Sequence, residues 1–230
     1  MPARDPSLAD LRRYALARSL FKPTTLPKAI AKLGFVQADP IRAPARAQDL
    51  TLRHRVVDYR AGDLERRYAR MAIEEDFFIN YGFVPRAIHA LMHPREARSV
   101  WPKKRWEQAQ AVLDFVRQHG TVHPRDVDAH FAHGKVKNWF GGATNATTHL
   151  LDGMHYRGLV RIAGREGGVR TYAPREAHAA APDAAAAQNA LVDVLVAKYA
   201  PLPELSLSGV VNRGLFLGTQ IGRASCRERV

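Results

Sequence analysis

The chain has 230 residues, with 35 Lys and Arg against 22 Asp and Glu for a formal charge of +13, and 46% of its residues are apolar. That composition suits one or two packed domains, not a disordered tail. No run approaches the roughly eighteen apolar residues of a membrane helix. Asp10, Arg12 and Arg13 fall where a secretory signal keeps its apolar core, so the expected compartment is the cytoplasm. A single cysteine, Cys226, excludes a disulfide framework and a cysteine-ligated zinc site.

Along the chain, Ser7 and Asp10 have the form of a capping box. Leu8, Leu11, Ala15 and Leu20 follow at roughly helical spacing, which predicts a helix over residues 7–20. A second short helix is expected after Thr25, with Pro27 in its first turn and Gly34 as its stop. Residues 35–39, closed by Pro40, read as a short β run. Residues 43–56 look helical. Further helices are expected over 61–100, with Leu64, Tyr68, Ile88, Leu91 and Met92 as apolar anchors and a linker between Pro94 and Pro102.

The clearest architecture lies at residues 104–174. Trp106, Ala109, Val112, Leu113 and Val116 line one face of a helix that stops at His119-Gly120. Thr121-Val122 form an extended link, Pro124 opens a second helix reaching Phe131, and residues 144–156 make a third, apolar at Leu150, Leu151 and Met154. Residues 158–162 and 169–172 then alternate like paired strands around the Gly-rich segment 164–168. Helix, link, helix, helix and β-hairpin is the order of a winged helix.

An Ala-rich stretch, 177–187, reads as a linker, followed by a helix over 190–199 and another from Leu205. These open a third unit of the same kind. Residues 221–230 have neither periodicity nor turn logic; back-translated as ATC GGA AGA GCG TCG TGT AGG GAA AGA GTG, they read as a short-read sequencing adapter, so the natural sequence is expected to be interrupted near Gln220. The expected fold class is mainly α with small β-hairpins, an α+β arrangement of tandem winged-helix (helix-turn-helix) units. Its divisions are 1–100, 101–176 and, for the linker and a truncated third unit, 177–220.

The charge is uneven. Residues 1–70 hold 15 Lys and Arg against 7 Asp and Glu, including Arg42, Arg46, Arg53 and Arg55. Clustered arginine is the footprint of a polyanion site, because each phosphate it neutralises releases condensed counterions; a solvated basic face gives the same pattern. Within this region, side chains alternate along a strand, so Gln37 and Asp39 share one face while Val36 and Ala38 take the other. An amide that donates and accepts, next to a carboxylate that takes a proton or faces a developing cation, is enough to hold and activate one water.

The run Gly34-Phe35-Val36-Gln37-Ala38-Asp39, followed by Ala45-Arg46-Ala47, resembles the N-terminal core of the bacterial winged-helix DNA glycosylases of the AlkZ/YcaQ type. Glu75, Pro85, Trp139-Phe140-Gly141 and Pro203-Glu204-Leu205 add to the likeness, which extends over most of residues 7–217. The resemblance implies tandem winged helices followed by a C-terminal β domain, which is expected to be missing from this chain. It also implies metal-free excision of N-alkylated purines and unhooking of interstrand crosslinks, through a Gln-x-Gln or Gln-x-Asp motif. Gln37 and Asp39 match the second form, with Asp39 activating water and Gln37 orienting it. The histidine that commoner members carry within the aromatic stretch 76–81 has no counterpart, nor does a basic residue near Ala146-Thr147. The reading from another class is a non-catalytic winged-helix DNA-binding protein or regulator.

The expected partner is double-stranded DNA, contacted by Arg42, Arg46, Arg53, Arg55, Lys137, Trp139, Arg165 and Arg170, by a monomer associated with the nucleoid. Trp139 and Phe140 suit a wedge between bases or core packing, and the Gly167-Gly168 tip flanked by Arg165 and Arg170 suits a minor-groove contact or a solvated tight hairpin equally. His89 with His93, and His130 with His133, are spaced to share helix faces. Neither pair has an acidic residue at ligand spacing, so no metal and no cofactor is expected.

Overall fold

The computed structural model describes residues 5–39, 41–93, 95, 99–132, 134–137, 143–175 and 183–215. The chain divides into two compact units. The first comprises Met1–Arg66, Met71–Met92 and Ala181–Val230, and the second Arg67–Arg70 and His93–Ala180. The sheets are small and antiparallel, and most of the remaining described structure is helical.

In the first unit, α1 (Leu8–Ser19) starts with the expected capping box: Ser7 Oγ accepts the Asp10 N–H and the Asp10 carboxylate accepts that of Ser7. No residue of α1 is buried, and Leu8 and Leu20 are 63% and 60% exposed, so the helix is held by its cap and local pairs such as Arg13–Asp10. By contrast α2 (Leu26–Leu33) buries Leu26, Ala29 and Ile30 and ends at Gly34 in the left-handed region, φ 67°. The helix expected over 43–56 shortens at both ends to α3 (Ala47–Leu52); Pro44, whose ring constrains the preceding residue, accounts for the late start.

Residues 61–100 differ most from expectation. After α4 (Asp63–Arg67) and a 3-10 turn at Tyr68–Arg70, the chain forms β2 (Ile73–Phe77) and β3 (Tyr81–Pro85) before α5 (Arg86–Leu91). With β1 (Val36–Gln37) these strands make an antiparallel sheet in the order β1-β3-β2, in which Val36 faces Phe83 and Gln37 faces Gly82. The acidic run Glu74-Glu75-Asp76 argues against a strand on propensity. It is accommodated by pairing: Arg86 Nε donates to Glu74 Oε1 at 2.9 Å, and His89 Nε2 lies 3.0 Å from Asp76 Oδ2, with both members of that second pair buried.

The segment expected to open a third unit belongs instead to the first. Helices α9 (Ala184–Tyr199) and α10 (Glu204–Leu215) bury Leu191, Val192, Leu195, Leu207 and Val211 against Phe35, Phe78, Val84 and Met92 in one core. Each such side chain contributes about 1.5–3 kcal/mol of burial, which a free-standing helix pair would forgo. Helix α9 also begins six residues earlier than its apolar pattern predicts, because Asp183 caps it by accepting the N–H groups of Ala185 and Ala186.

The second unit runs α6 (Lys103–His119), α7 (Pro124–Phe131), β4 (Lys135–Lys137), β5 (Ala143–Asn145), α8 (Ala146–Tyr156), β6 (Val160–Glu166) and β7 (Val169–Pro174). Ala109, Val112, Leu113 and Val116 of α6 are buried as expected, whereas Trp106 is 45% exposed and meets Trp101 edge-on. The link residue Val122 bridges to Tyr172, and β6 and β7 close through Gly167 and Gly168, both at positive φ, as a two-residue hairpin requires. The β4–β5 pair between α7 and α8 was not anticipated. No described helix is long and apolar enough to cross a membrane.

Candidate active site

The sheet of the first unit presents the Gln-x-Asp segment at its edge. Val36 is buried and Gln37 is exposed, the alternation a strand imposes. Pairing continues one residue past β1, where the Ala38 N–H donates to the Tyr81 carbonyl at 2.9 Å. Asp39, half-buried, therefore falls on the same side of the ladder as Gln37. Its Oδ1 accepts the Ile41 N–H at 2.8 Å, an Asx turn that fixes the carboxylate plane. The other oxygen, Oδ2, has no hydrogen-bond partner among the described residues.

Beneath the segment lies a polar network that the sequence did not disclose. Gln48 of α3, buried, accepts the Asp39 N–H on Oε1 at 3.1 Å and donates from Nε2 to Glu65 Oε1 of α4 at 2.7 Å. Arg46 Nη1 donates to the same Glu65 oxygen at 2.7 Å. Burial alone would raise the Glu65 carboxyl; the hydrogen bonds from Gln48, its own backbone and Arg46, with the charge of Arg46, bring it below the usual range instead. Buried Asp49 anchors the following loop by accepting the Tyr59 hydroxyl at 2.8 Å and the Gly62 N–H at 2.9 Å, and burial followed by this carboxylate pushes the Tyr59 hydroxyl well up.

A second support stands behind β1. Lys198 Nζ of α9 donates to the Leu33 carbonyl at 3.2 Å and the Phe35 carbonyl at 2.8 Å. Burial, reinforced by the charge of Arg55, pulls its pKa from 10.5 to about 8. Gly82, opposite Gln37, lets the backbone of β1 and the ring of Phe35 approach closely. Among these supports only Gly82, which has no Cβ, leaves a trace in sequence; Gln48, Glu65 and Lys198 are ordinary surface residue types until the fold brings them inward.

The expected DNA-contact residues fall into three groups. Arg42 and Arg53 are exposed. Arg46 is tied to Glu65, and half-buried Arg55 donates to the carbonyls of Ser19 and Thr51, each at 2.6 Å, so these two hold the first unit together at the positions the sequence assigned to phosphate contact. In the second unit Arg165 donates to the Gly168 carbonyl at 3.3 Å and Arg170 to Asp152 at 3.4 Å. Lys137 lies in β4, and Trp139 and Phe140 lie outside the described residues. His133 is also outside them. His89 does have an acidic partner, Asp76, which the sequence reading missed because the carboxylate comes from a strand thirteen residues earlier.

The DNA glycosylase AlkZ-like family matches residues 30–209, a span that includes the Gln-x-Asp segment and its supports. The chain belongs to the AlkZ-like DNA glycosylase family. A solved structure, Streptomyces sahachiroi DNA glycosylase AlkZ, has a similar fold: the TM-score is 0.64 at 12% identity, over 98% of this chain and 64% of that one. The chain thus spans less than two thirds of that AlkZ structure. No curated protein matches.

Proposed function

We propose that this AlkZ-like chain hydrolyses the N-glycosidic bond of N-alkylated, cationic purines in duplex DNA, as a monofunctional glycosylase. The observation that carries the reading is the Gln37–Asp39 edge: two polar side chains on one side of a strand whose backbone is fastened by Tyr81, Gln48 and Lys198.

A purine alkylated at N7 already bears positive charge, so its departure needs no general acid. What remains is to stabilise an oxocarbenium-like sugar and deliver water to it, which one anion and one orienting amide accomplish. With Oδ1 held by the Ile41 N–H, Asp39 Oδ2 faces the sugar cation and takes the proton of the attacking water. Gln37 donates to and accepts from that water, fixing its line of attack. A positioned base of this kind supplies about 10²- to 10⁴-fold, or about 2.7–5.4 kcal/mol of barrier. Water as nucleophile agrees with the placement of Lys198, whose ammonium is committed to two carbonyls behind the strand.

The test is incubation of the chain with duplex DNA containing N7-methylguanine. Free base should appear, with strand breaks only after alkali treatment of the abasic product. A chain that binds DNA and releases no base is a winged-helix binding protein instead. Interstrand-crosslinked duplex is the second substrate to assay, as an extension of the same chemistry.

A further inference from the structure

We propose that Gln48 and Glu65 are positioning residues for Asp39, Gln48 as a polarity-locked strut and Glu65 as the anchor that locks it. The inference rests on the glycosylase reading above and assigns roles to two residues outside the Gln-x-Asp motif.

The lock follows from donor and acceptor counting. An ionised carboxylate can only accept, and a backbone N–H can only donate. Gln48 lies between one of each: Glu65 Oε1 at 2.7 Å on one side and the Asp39 N–H at 3.1 Å on the other. Its amide therefore has a single workable orientation, NH₂ toward Glu65 and carbonyl toward Asp39. Gln48 is 3% exposed, so water cannot replace either bond cheaply, and a flipped amide would set oxygen against oxygen and N–H against N–H. Arg46, donating to the same Glu65 oxygen at 2.7 Å, keeps Glu65 ionised and so keeps it an acceptor.

The strut ends on the backbone N–H of Asp39, while the Ile41 N–H holds the Asp39 carboxylate at 2.8 Å. Position and orientation of the carboxylate are thus set by separate bonds, from α3 and from the following turn. Release of the strut leaves the orienting turn in place and lets the residue drift, and a drift of about 1 Å costs roughly 10²-fold in rate.

The experiment uses the whole chain, with single-turnover release of N7-methylguanine, duplex-DNA affinity by fluorescence anisotropy, and thermal melting. Gln48→Leu should slow release about 10- to 100-fold with affinity changed less than about twofold. In the Asp39→Asn background the same substitution should cost nothing further, because it acts only through Asp39. Glu65→Gln keeps an acceptor for Arg46 and Gln48 and should retain more activity than Glu65→Leu. For variants that melt early, amide hydrogen exchange at Asp39 replaces the rate as readout and should accelerate in Gln48→Leu, measured well below the melting temperature. Wild-type release rates in Gln48→Leu, or losses that add to those of Asp39→Asn, would overturn the positioning role while leaving the glycosylase reading intact. A parent chain that releases no base overturns that reading and this role together.

Discussion

Replacing Gly82 with alanine perturbs the candidate site without touching Gln37 or Asp39. A Cβ built there meets the Val36 carbonyl and lies 2.6 Å from Cε2 of Phe35. The Phe35 ring is only 4% exposed and packs edge-on against Phe78 at 6.2 Å between centroids, so it has little room to swing away. Restoring ordinary contact at 3.4 Å means moving the Phe35 ring outward by about 0.8 Å and the Val36 carbonyl of β1 further still. Overpacking of this kind costs about 1–3 kcal/mol, equivalent to a fall in melting temperature of roughly 2–12 °C for a chain of this size. Because Gln37 pairs directly with Gly82, the same displacement should slow base release about 10- to 100-fold. Circular dichroism melts and single-turnover assays on Gly82→Ala measure both. Gly209→Ala, in α10 where a Cβ meets nothing within 4 Å, is the control and should stabilise by about 0.5–1 kcal/mol. A Gly82→Ala chain that melts and cleaves like the parent would refute the close approach of the two strands.

Lys198 gives a pH signature. With its folded pKa at about 8, below the ordinary 10.5, the folded chain binds fewer protons than the unfolded one between those values, so stability rises with pH across that window. The melting temperature of the parent should climb relative to Lys198→Met between pH 7.5 and 9.5; parallel profiles would contradict the buried lysine. Ile30→Ala should cost about 2–5 kcal/mol in a urea melt, whereas Leu8→Ser on exposed α1 should stay within about 0.5 kcal/mol, and a large loss there would mean that α1 packs. Arg53→Ala should weaken DNA binding evenly across sequences and lower the slope of log K against log salt by about one. Arg46→Ala should instead reduce base release with a smaller change in that slope, since its guanidinium holds Glu65; the reverse ranking would return Arg46 to the DNA face.

The sequence made the second unit legible because its helices carry their own start and stop signals, as at Pro124 and Gly120, and its hairpin closes on Gly167-Gly168. The capping box at Ser7 and the stop at Gly34 were equally local. Strands β2 and β3 were hidden because Glu74 and Asp76 look like surface residues until Arg86 and His89, from the next helix, are placed beside them. The apolar period of α9 was visible, yet its partners Phe35 and Phe78 lie more than a hundred residues away, so nothing local assigned it to the first unit. At the candidate site, the shared face of Gln37 and Asp39 was readable from alternation. Gln48, Glu65 and Lys198 were not, since their roles depend on which backbone groups α3, α4 and α9 reach.

The most direct measurement is single-turnover release of N7-methylguanine from methylated duplex by the parent chain and by Asp39→Asn, with duplex affinity followed in parallel. Removing the carboxylate charge should lower the rate by about 10²-fold or more while affinity stays within about twofold. Equal rates for the two chains would contradict an account in which Asp39 drives the hydrolysis.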